Sequence, residues 1–406
     1  MPCKACFSLQ YALQYFMEFD LLIVGGGLAG ASLACALRGS RLRIALLDRA
    51  APVVAAGWDA RIYAVSPANV GFLQQCGVWQ HIDSARLQRV ERMAVFGDAE
   101  GASRGRLAFS AYEAGLDALA WIVEGGRLGD ELWQTARRQP NITVVTPADP
   151  QSLELGSEGA VLALADGQRL HASLVVGADG VNSWVRQQAG LTADLQPYAD
   201  MGLVANFACE RPHAATASQW FRADGVLACL PLPGNLVSIV WSTPQAHAEA
   251  LLALSAEALA DKVSEASEGV LGKLELLAPA AAFPLRLMRV PEWVAPRVAL
   301  IGDAAHAIHP LSGHGVNLGF QDAQVLAGKL LALPAFRDCG ELSVLRQYER
   351  ARVEEVAMLQ GVTHGLHQLF GVQSAPLAWL RNAGMSLTGR LPFVRAAMTR
   401  YAAGLL

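Results

Sequence analysis

Three glycines, Gly25-x-Gly27-x-x-Gly30, stand between a short apolar run, Phe19 to Val24, and a helix-like stretch, Leu28 to Arg38. Few patterns restrict a fold more. A glycine at the first position permits a tight strand-to-helix turn. One at the second lets a phosphate reach the backbone, and one at the third lets helix and strand pack closely. The start of such a helix offers free amides and the positive end of its dipole to an anion. A second apolar run, Arg43 to Leu47, ends on Asp48, 23 residues after Gly25. A carboxylate there is placed to accept hydrogen bonds from a ribose. The opening of the chain therefore predicts a βαβ unit that binds a dinucleotide.

The alternation continues with a helix over Gly126 to Arg138 and a strand over Ile142 to Thr146. Three strand-like pieces follow, with a hairpin-type turn at Asp166-Gly167, and the third ends in Leu174 to Val176. Between about Tyr198 and Pro291 the pattern changes to runs such as Gly202 to Cys209 and Leu236 to Trp241, divided by Pro/Gly turns. Two helices are inserted after Ala246. A buried strand returns at Val298 to Ile301, and helical patterns run to the end. The expected fold is α/β: a discontinuous Rossmann-like domain (17–90, 124–197 and 292–370) interrupted by a mainly antiparallel β-sheet domain (91–123 and 198–291). A helical C-terminal segment (371–406) completes it, and residues 1–16 are expected to be a disordered or loosely attached extension.

Two further motifs carry polar groups at strand ends. One is Gly177-Ala178-Asp179-Gly180, followed by Ser183 and Arg186. The other is Gly302-Asp303-Ala304-Ala305-His306, continuing through Pro310 to Gly313-His314-Gly315-Val316-Asn317-Leu318-Gly319. Asp303 closes a strand, where open α/β sheets bind ligands, and the glycine-rich stretch opens a helix whose first amides are free. His306, His309 and His314 lack a carboxylate or cysteine that completes a zinc set, so no metal is expected. The lone Cys3-x-x-Cys6 has no second pair, and seven scattered cysteines make no disulfide framework. A hydrophobic content of 53% against 17% charged residues describes a folded globular chain. A net charge of −4 gives nucleic-acid binding no support. No apolar stretch is long enough for a transmembrane helix and no cleavage site follows the N-terminus, so a cytoplasmic protein is expected.

In order and spacing the three motifs resemble the group A flavoprotein monooxygenases. The stretch IGDAAHAIHPLSGHGVNLGFQD, Ile301 to Asp322, is more narrowly similar to the ubiquinone-biosynthesis hydroxylases. So are Asp59-Ala60-Arg61 with Ser66 and Leu73, and the ending Arg381 to Gly404. The resemblance covers nearly the whole chain from Met17. It implies FAD as cofactor and NAD(P)H as co-substrate. The implied reaction is hydroxylation of the aromatic ring of a polyprenylated phenol or quinone precursor through a flavin hydroperoxide and O2. The alternative within the class is a soluble small aromatic substrate. A flavin halogenase would need a W-x-W-x-I-P signature that is absent, and a non-enzymatic scaffold would not need the complete motif set.

By the same resemblance Gly25, Gly27, Leu28, Ala29 and Gly30 hold the FAD pyrophosphate and Asp48 the adenosine ribose. Arg61 lies near the flavin and its ribityl-phosphate chain. Asp179 and Gly180 are linked to FAD and the nicotinamide cofactor, and Asp303 to the ribityl chain. Gly315, Val316 and Asn317 border the pyrimidine edge of the flavin, while Pro310 and His314 are the candidate catalytic positions. Two positions depart from the pattern: His314 stands where glutamine is usual, and Gly126 where a polar residue or arginine is common. From Val356 to Leu406 there is no Asp or Glu, but there are four arginines, Arg381, Arg390, Arg395 and Arg400. Such a segment either docks to the inner-membrane surface or to a biosynthetic complex, or packs its helices on the FAD-binding domain with the arginines solvated.

Overall fold

A computed structural model describes residues 16–98, 105–308, 313, 315–371, 382, 399–400 and 404. Its centre is a six-stranded sheet in the order Val294–Ala295, Val298–Leu300, Leu174–Gly177, Leu21–Val24, Ile44–Leu47, Ile142–Val145. All neighbours are parallel except the short edge pair. Leu21–Val24, Ile44–Leu47 and Leu174–Gly177 are buried along their whole length. That explains their unbroken apolar sequence, since a parallel sheet is covered on both faces.

The helix Leu28–Ala36 is apolar all round because it is sandwiched. It packs on the helices Gly315–Leu331 and Gly125–Arg137. The three strand-like pieces before Gly177 are four strands. Pro150–Leu155, Ala160–Leu164 and Arg169–Ala172 form a separate sheet, and only Leu174–Gly177 returns to the parallel one. Phe16–Glu18 joins that separate sheet by pairing with Arg169–His171, so ordered pairing begins one residue before Met17. Residues 1–15 lie outside the described residues, as does most of 371–406.

The second large sheet has nine strands and is mainly antiparallel. Its longest strand, Asp194–Cys209, begins before the boundary expected at 197/198 and runs straight through it. One face is covered by the helices Gln245–Leu252 and Ala256–Ala266, which pack on Leu203, Phe207, Trp220, Ile239 and Trp241. The opposite face meets the small sheet of Ile62–Val65, Ala120–Glu124 and Gln88–Val90, with Ala217 and Leu232 against Ile62 and Ile122. His306–Ala307, beyond the parallel sheet in sequence, pairs onto the edge of this large sheet at Met288 and Arg289. The chain from Gly302 to Ala307 thus bridges the two sheets.

Candidate active site

The glycine turn has the geometry its sequence demands. Gly25 adopts φ +104°, and a side chain there would collide with the carbonyl of Ala178. A Cβ on Gly30 would collide with the carbonyl of Gly25, so helix and strand pack as closely as backbone allows. At Gly27 a Cβ would meet nothing within 4 Å. That position faces open space in front of the helix it precedes, and no side chain caps that helix. The first amides of Leu28 and Ala29 are the free donors of a helix start. An anion cradle lies there.

Asp48 supports the cradle. Its Oδ2 accepts the Gly26 amide at 2.7 Å and its Oδ1 the Ala50 amide at 3.1 Å. The carbonyl of Gly26 accepts from Trp133 Nε1 at 2.7 Å. Each Asp48 oxygen keeps a lone pair for a further donor. The groups that would hold a dinucleotide are present.

The Asp-Gly motif is built around the Asp179 carboxylate. Asp179 Oδ1 accepts Ser183 Oγ at 2.5 Å, and Oδ2 accepts the amides of Trp184 and Val185 at 2.7 and 3.0 Å. Its carboxylate thus satisfies the first two amides of the short helix Trp184–Gln188, whose N-cap is Ser183, with Ser183 Oγ accepting the Arg186 amide at 3.0 Å. Arg186, nearly buried, donates to the carbonyls of Val181 and Ala304 at 2.8 Å each, and so ties this motif to the Gly-Asp motif. Burial lowers its pKa from the usual guanidinium value. Gly180 takes φ +83° between them.

Asp303 follows Gly302, which is left-handed at φ +58°. The Asp303 side chain is reached by solvent, yet protein surrounds it closely enough for burial to push its carboxyl above the usual range. Both are properties of a group on the wall of a concave part of the surface, a cleft. Tyr63 shares that environment: burial raises its phenol, Arg61 counteracts this, and Asp303 and Asp59 add to it. The cleft wall therefore gathers Asp59, Arg61, Tyr63 and Asp303 from segments far apart in sequence.

Gly315 and Val316 open the helix Gly315–Leu331, and a Cβ on Gly315 would meet nothing within 4 Å. Asn317 is buried and its side chain is fully engaged. Its Oδ1 accepts from the Ser66 amide and Asn69 Nδ2, both at 2.8 Å, and its Nδ2 donates to the carbonyls of Ala64 and Gly313. It braces the helix start against the strand Ile62–Val65. Pro310 and His314 lie outside the described residues.

Glu124, 1% exposed, is a functional position that no sequence motif marks. It receives Arg86 through two bonds of 2.8 and 2.7 Å, Arg127 at 2.9 Å and the Asp59 amide at 3.0 Å. Arg86 also lies over the Trp58 ring at 3.7 Å. Asp59 in turn accepts the amides of Arg61 and Gly126. Its only sequence signal was a carboxylate at the end of an apolar run, directly before Gly125-Gly126. Gly126 is explained by contact: a Cβ there would stand 2.5 Å from the Val53 carbonyl. Arg127 points back to Glu124, so it does not replace the missing side chain as a free group. Among the described residues no His/Cys/Asp/Glu group could hold a metal ion.

The FAD-binding domain family matches residues 18–360. The chain belongs to that family. Its cofactor is FAD, and it is a flavoprotein monooxygenase, as the three motifs implied. It is 33% identical over 390 residues to the 3-demethoxyubiquinol 3-hydroxylase of Escherichia coli, covering 95% of this chain and 98% of that one. The ubiquinone hydroxylase UbiL of Rhodospirillum rubrum is also 33% identical, with 95% and 90% covered. The human mitochondrial ubiquinone biosynthesis monooxygenase COQ6 is 31% identical, with 95% and 92% covered. In fold the chain is similar to p-nitrophenol 4-monooxygenase of Pseudomonas putida, with a TM-score of 0.78 at 18% identity over 96% of this chain and 98% of that one. PqsL of Pseudomonas aeruginosa gives a TM-score of 0.76 at 23% identity, over 91% and 99%. Among the described residues no helix is long and apolar enough to cross a membrane.

Proposed function

We propose that this monooxygenase hydroxylates the aromatic ring of a polyprenylated phenol or quinone precursor in ubiquinone biosynthesis, using NAD(P)H and O2. The observation that carries the reading is the full-length similarity to ubiquinone hydroxylases, joined to a cleft whose groups suit FAD. When bound, FAD supplies the redox chemistry: it takes electrons from the nicotinamide and delivers them to oxygen.

The protein's part is binding, orientation and field. The amides around Gly25, Gly27, Leu28, Ala29 and Gly30 would hold the pyrophosphate, and Asp48 the adenosine ribose. Asp303 would accept hydroxyls of the ribityl chain, and Arg61 would stand near the adjoining phosphate. The amides of Gly315, Val316 and Asn317 would offer the positive end of the helix dipole to the pyrimidine edge. Asp179 and Gly180 would serve FAD and the nicotinamide cofactor from the loop that the Asp179 carboxylate shapes. Pro310 and His314 remain the residues proposed to border the reacting ring. The nine-stranded sheet would serve as the substrate domain. The acid-free C-terminus is proposed to dock peripherally on the cytoplasmic face of the inner membrane, where a lipid-tailed substrate resides.

The test is metabolic. Expression in an Escherichia coli strain lacking its 3-demethoxyubiquinol 3-hydroxylase should restore ubiquinone, with the accumulated precursor consumed. Expression of flavin-loaded protein without any change in quinone intermediates, there or in strains blocked at the other ring hydroxylations, would point instead to a soluble aromatic substrate.

A further inference from the structure

Arg61 reaches the cleft from a main chain that is held on both sides. Its amide donates to Asp59 Oδ1 at 2.9 Å, and its carbonyl accepts the Gly125 amide at 2.8 Å. Its side chain is exposed, and among the described residues the guanidinium makes no hydrogen bond or ion pair. A cation free for a ligand thus stands on a backbone that cannot shift alone.

Asp59 carries that arrangement, and all four of its hydrogen-bonding groups are used. The carboxylate accepts the Arg61 and Gly126 amides, and the carbonyl accepts Asn206 Nδ2 at 2.8 Å. Its amide donates to Glu124 Oε1 at 3.0 Å. Glu124 is the buried end of this chain of bonds, and its oxygens also receive Arg127 once and Arg86 twice. Arg86 turns back to the same segment. Its Nη2 donates to the Gly57 carbonyl at 2.9 Å, and its guanidinium lies over the Trp58 ring. Residues 57, 58 and 59 are therefore gripped directly by Glu124 and Arg86, two residues before Arg61.

A buried carboxylate with two arginines is a poor way to fill space. Desolvation offsets much of the attraction, and apolar side chains of equal volume often stabilise a fold as well. What the charged cluster adds is direction. A carboxylate meets the forked donors of a guanidinium at fixed angles. The strand Ala120–Glu124 pairs with the segment beyond Arg61, Ile62 lying opposite Glu124 itself. One residue thus fixes the chain before Arg61 through its side chain and the chain after it through its strand.

We propose that Glu124, acting with Arg86 through Asp59, is a positioning residue that aims Arg61 at FAD. The inference rests on the reading that Arg61 stands beside the FAD phosphate.

The experiment is a double-mutant cycle on FAD affinity. Holoenzyme is diluted in steps and released FAD is followed by its fluorescence, for wild type, Glu124→Gln, Arg61→Ala and the double variant. Glu124→Gln keeps the size of the side chain and an oxygen for the Asp59 amide, but its NH2 group opposes the donors of the arginines. Arg61→Ala should raise the Kd at least roughly tenfold, as loss of a charge-assisted contact does. Glu124→Gln should raise it roughly three- to tenfold, and the double variant should bind no more weakly than Arg61→Ala, because a misaimed Arg61 and a missing one fail in the same contact. A glutamate that only stabilised the fold would weaken binding by the same factor with or without Arg61, so factors that multiply overturn the proposal. So does a Glu124→Gln variant with the wild-type Kd. If Glu124→Gln does not fold, Arg86→Lys takes its place in the cycle and the same two outcomes decide. The Arg86 side chain is 20% exposed, and lysine keeps the charge without the paired bonds. An Arg61→Ala variant that holds FAD as tightly as wild type overturns the reading of Arg61 itself and the proposal with it, a result seen in that single variant and distinct from a multiplicative cycle.

Discussion

Asn317 and Ser66, 251 residues apart in sequence, are joined by a 2.8 Å bond from the Ser66 amide to Asn317 Oδ1. The same side chain reaches Asn69, Ala64 and Gly313. One amide thus fixes the start of the Gly315 helix to the segment that follows Arg61. Asn317→Ala removes the partner of the buried Ser66 amide and of the less buried Ala64 and Gly313 carbonyls, at about 1–3 kcal/mol for a buried group left unsatisfied. We expect a destabilisation of at least about 2 kcal/mol in urea unfolding, with weakened flavin retention. Asn317→Asp should lose nearly as much, because a carboxylate cannot donate to the Ala64 carbonyl. A fully stable Asn317→Asp would show that donation to be dispensable.

Asp303 is predicted to trade stability for binding. Its folded-state pKa lies above the ordinary carboxyl value because burial disfavours the charge. Relative to an unshifted group, it favours the fold below its unfolded pKa and loses that favour as pH rises through the folded value. At pH 7 the ionised carboxylate therefore costs the apoprotein stability. Asp303→Asn should melt higher than wild type as apoprotein, and the difference should vanish as pH falls toward 4. The same variant should bind FAD at least roughly tenfold more weakly, since a charge-assisted hydrogen bond contributes about 1.5–3 kcal/mol. Thermal scans of apoprotein with and without FAD separate the two effects. A variant that melts lower in both states would contradict the cleft-wall assignment.

Asp179, proposed from its motif to be a cofactor-linked acid, also accepts the first amides of the helix Trp184–Gln188 and the hydroxyl of its N-cap, Ser183. Asp179→Ala should cost about 0.5–2 kcal/mol, the range for losing a side chain that satisfies helix-start amides. Asp179→Asn should recover much of that, because an amide oxygen still caps. If flavin affinity follows carboxylate charge instead, with Asp179→Asn as impaired as Asp179→Ala, the group acts on the cofactor directly.

Gly126 offers a test of packing against chemistry. A Cβ there approaches the Val53 carbonyl to 2.5 Å, and backbone cannot step aside as a flexible side chain would. Gly126→Ala should lose about 1–3 kcal/mol as overpacking does, and Gly126→Arg should not improve flavin binding. A stable Gly126→Arg with tighter FAD would mean that Val53 yields easily and that the departure from the family pattern is incidental.

What the sequence disclosed and what it hid divide along physical lines. The glycine turn was legible because backbone geometry at Gly25 and Gly30 excludes every other residue, so the constraint is written in the residues themselves. The buried strands were legible because a parallel sheet demands apolar side chains at every position. Glu124 with Arg86 and Arg127, and Asp322 with His306 and Arg352, were not. Charged residues read as surface until a partner is known, and most of those partners stand 16 to 38 residues away on other elements. The doubled sheet between Pro150 and Gly177 escaped because periodicity marks strands but not which sheet they join. Ser173 alone separates the strand that ends one sheet from the strand that enters the other.

The helix Leu342–Gly371 turns one face away from the body. Val356, Gln360 and Thr363 are buried, and Gln360 Nε2 donates to the Met288 carbonyl. Opposite them Met358, Val362, Leu366 and Leu369 are exposed, Met358 and Val362 by half, at the spacing of one helical stripe. Beyond Glu355 the chain has no acidic residue but four arginines, Arg381, Arg390, Arg395 and Arg400. An apolar stripe with basic charge and no acids suits the surface of an anionic membrane, and the electrostatic part of such binding is screened by salt. Vesicles containing phosphatidylglycerol should therefore sediment the full-length protein at low ionic strength, and raising the salt to about 0.5 M should release much of it. Met358→Asp with Val362→Asp alters only exposed side chains, so flavin content should persist while sedimentation falls. Retention of the double variant on vesicles would move the docking surface elsewhere. Failure of the wild type to bind any vesicle, anionic or neutral, would leave the stripe to a protein partner that delivers the lipid.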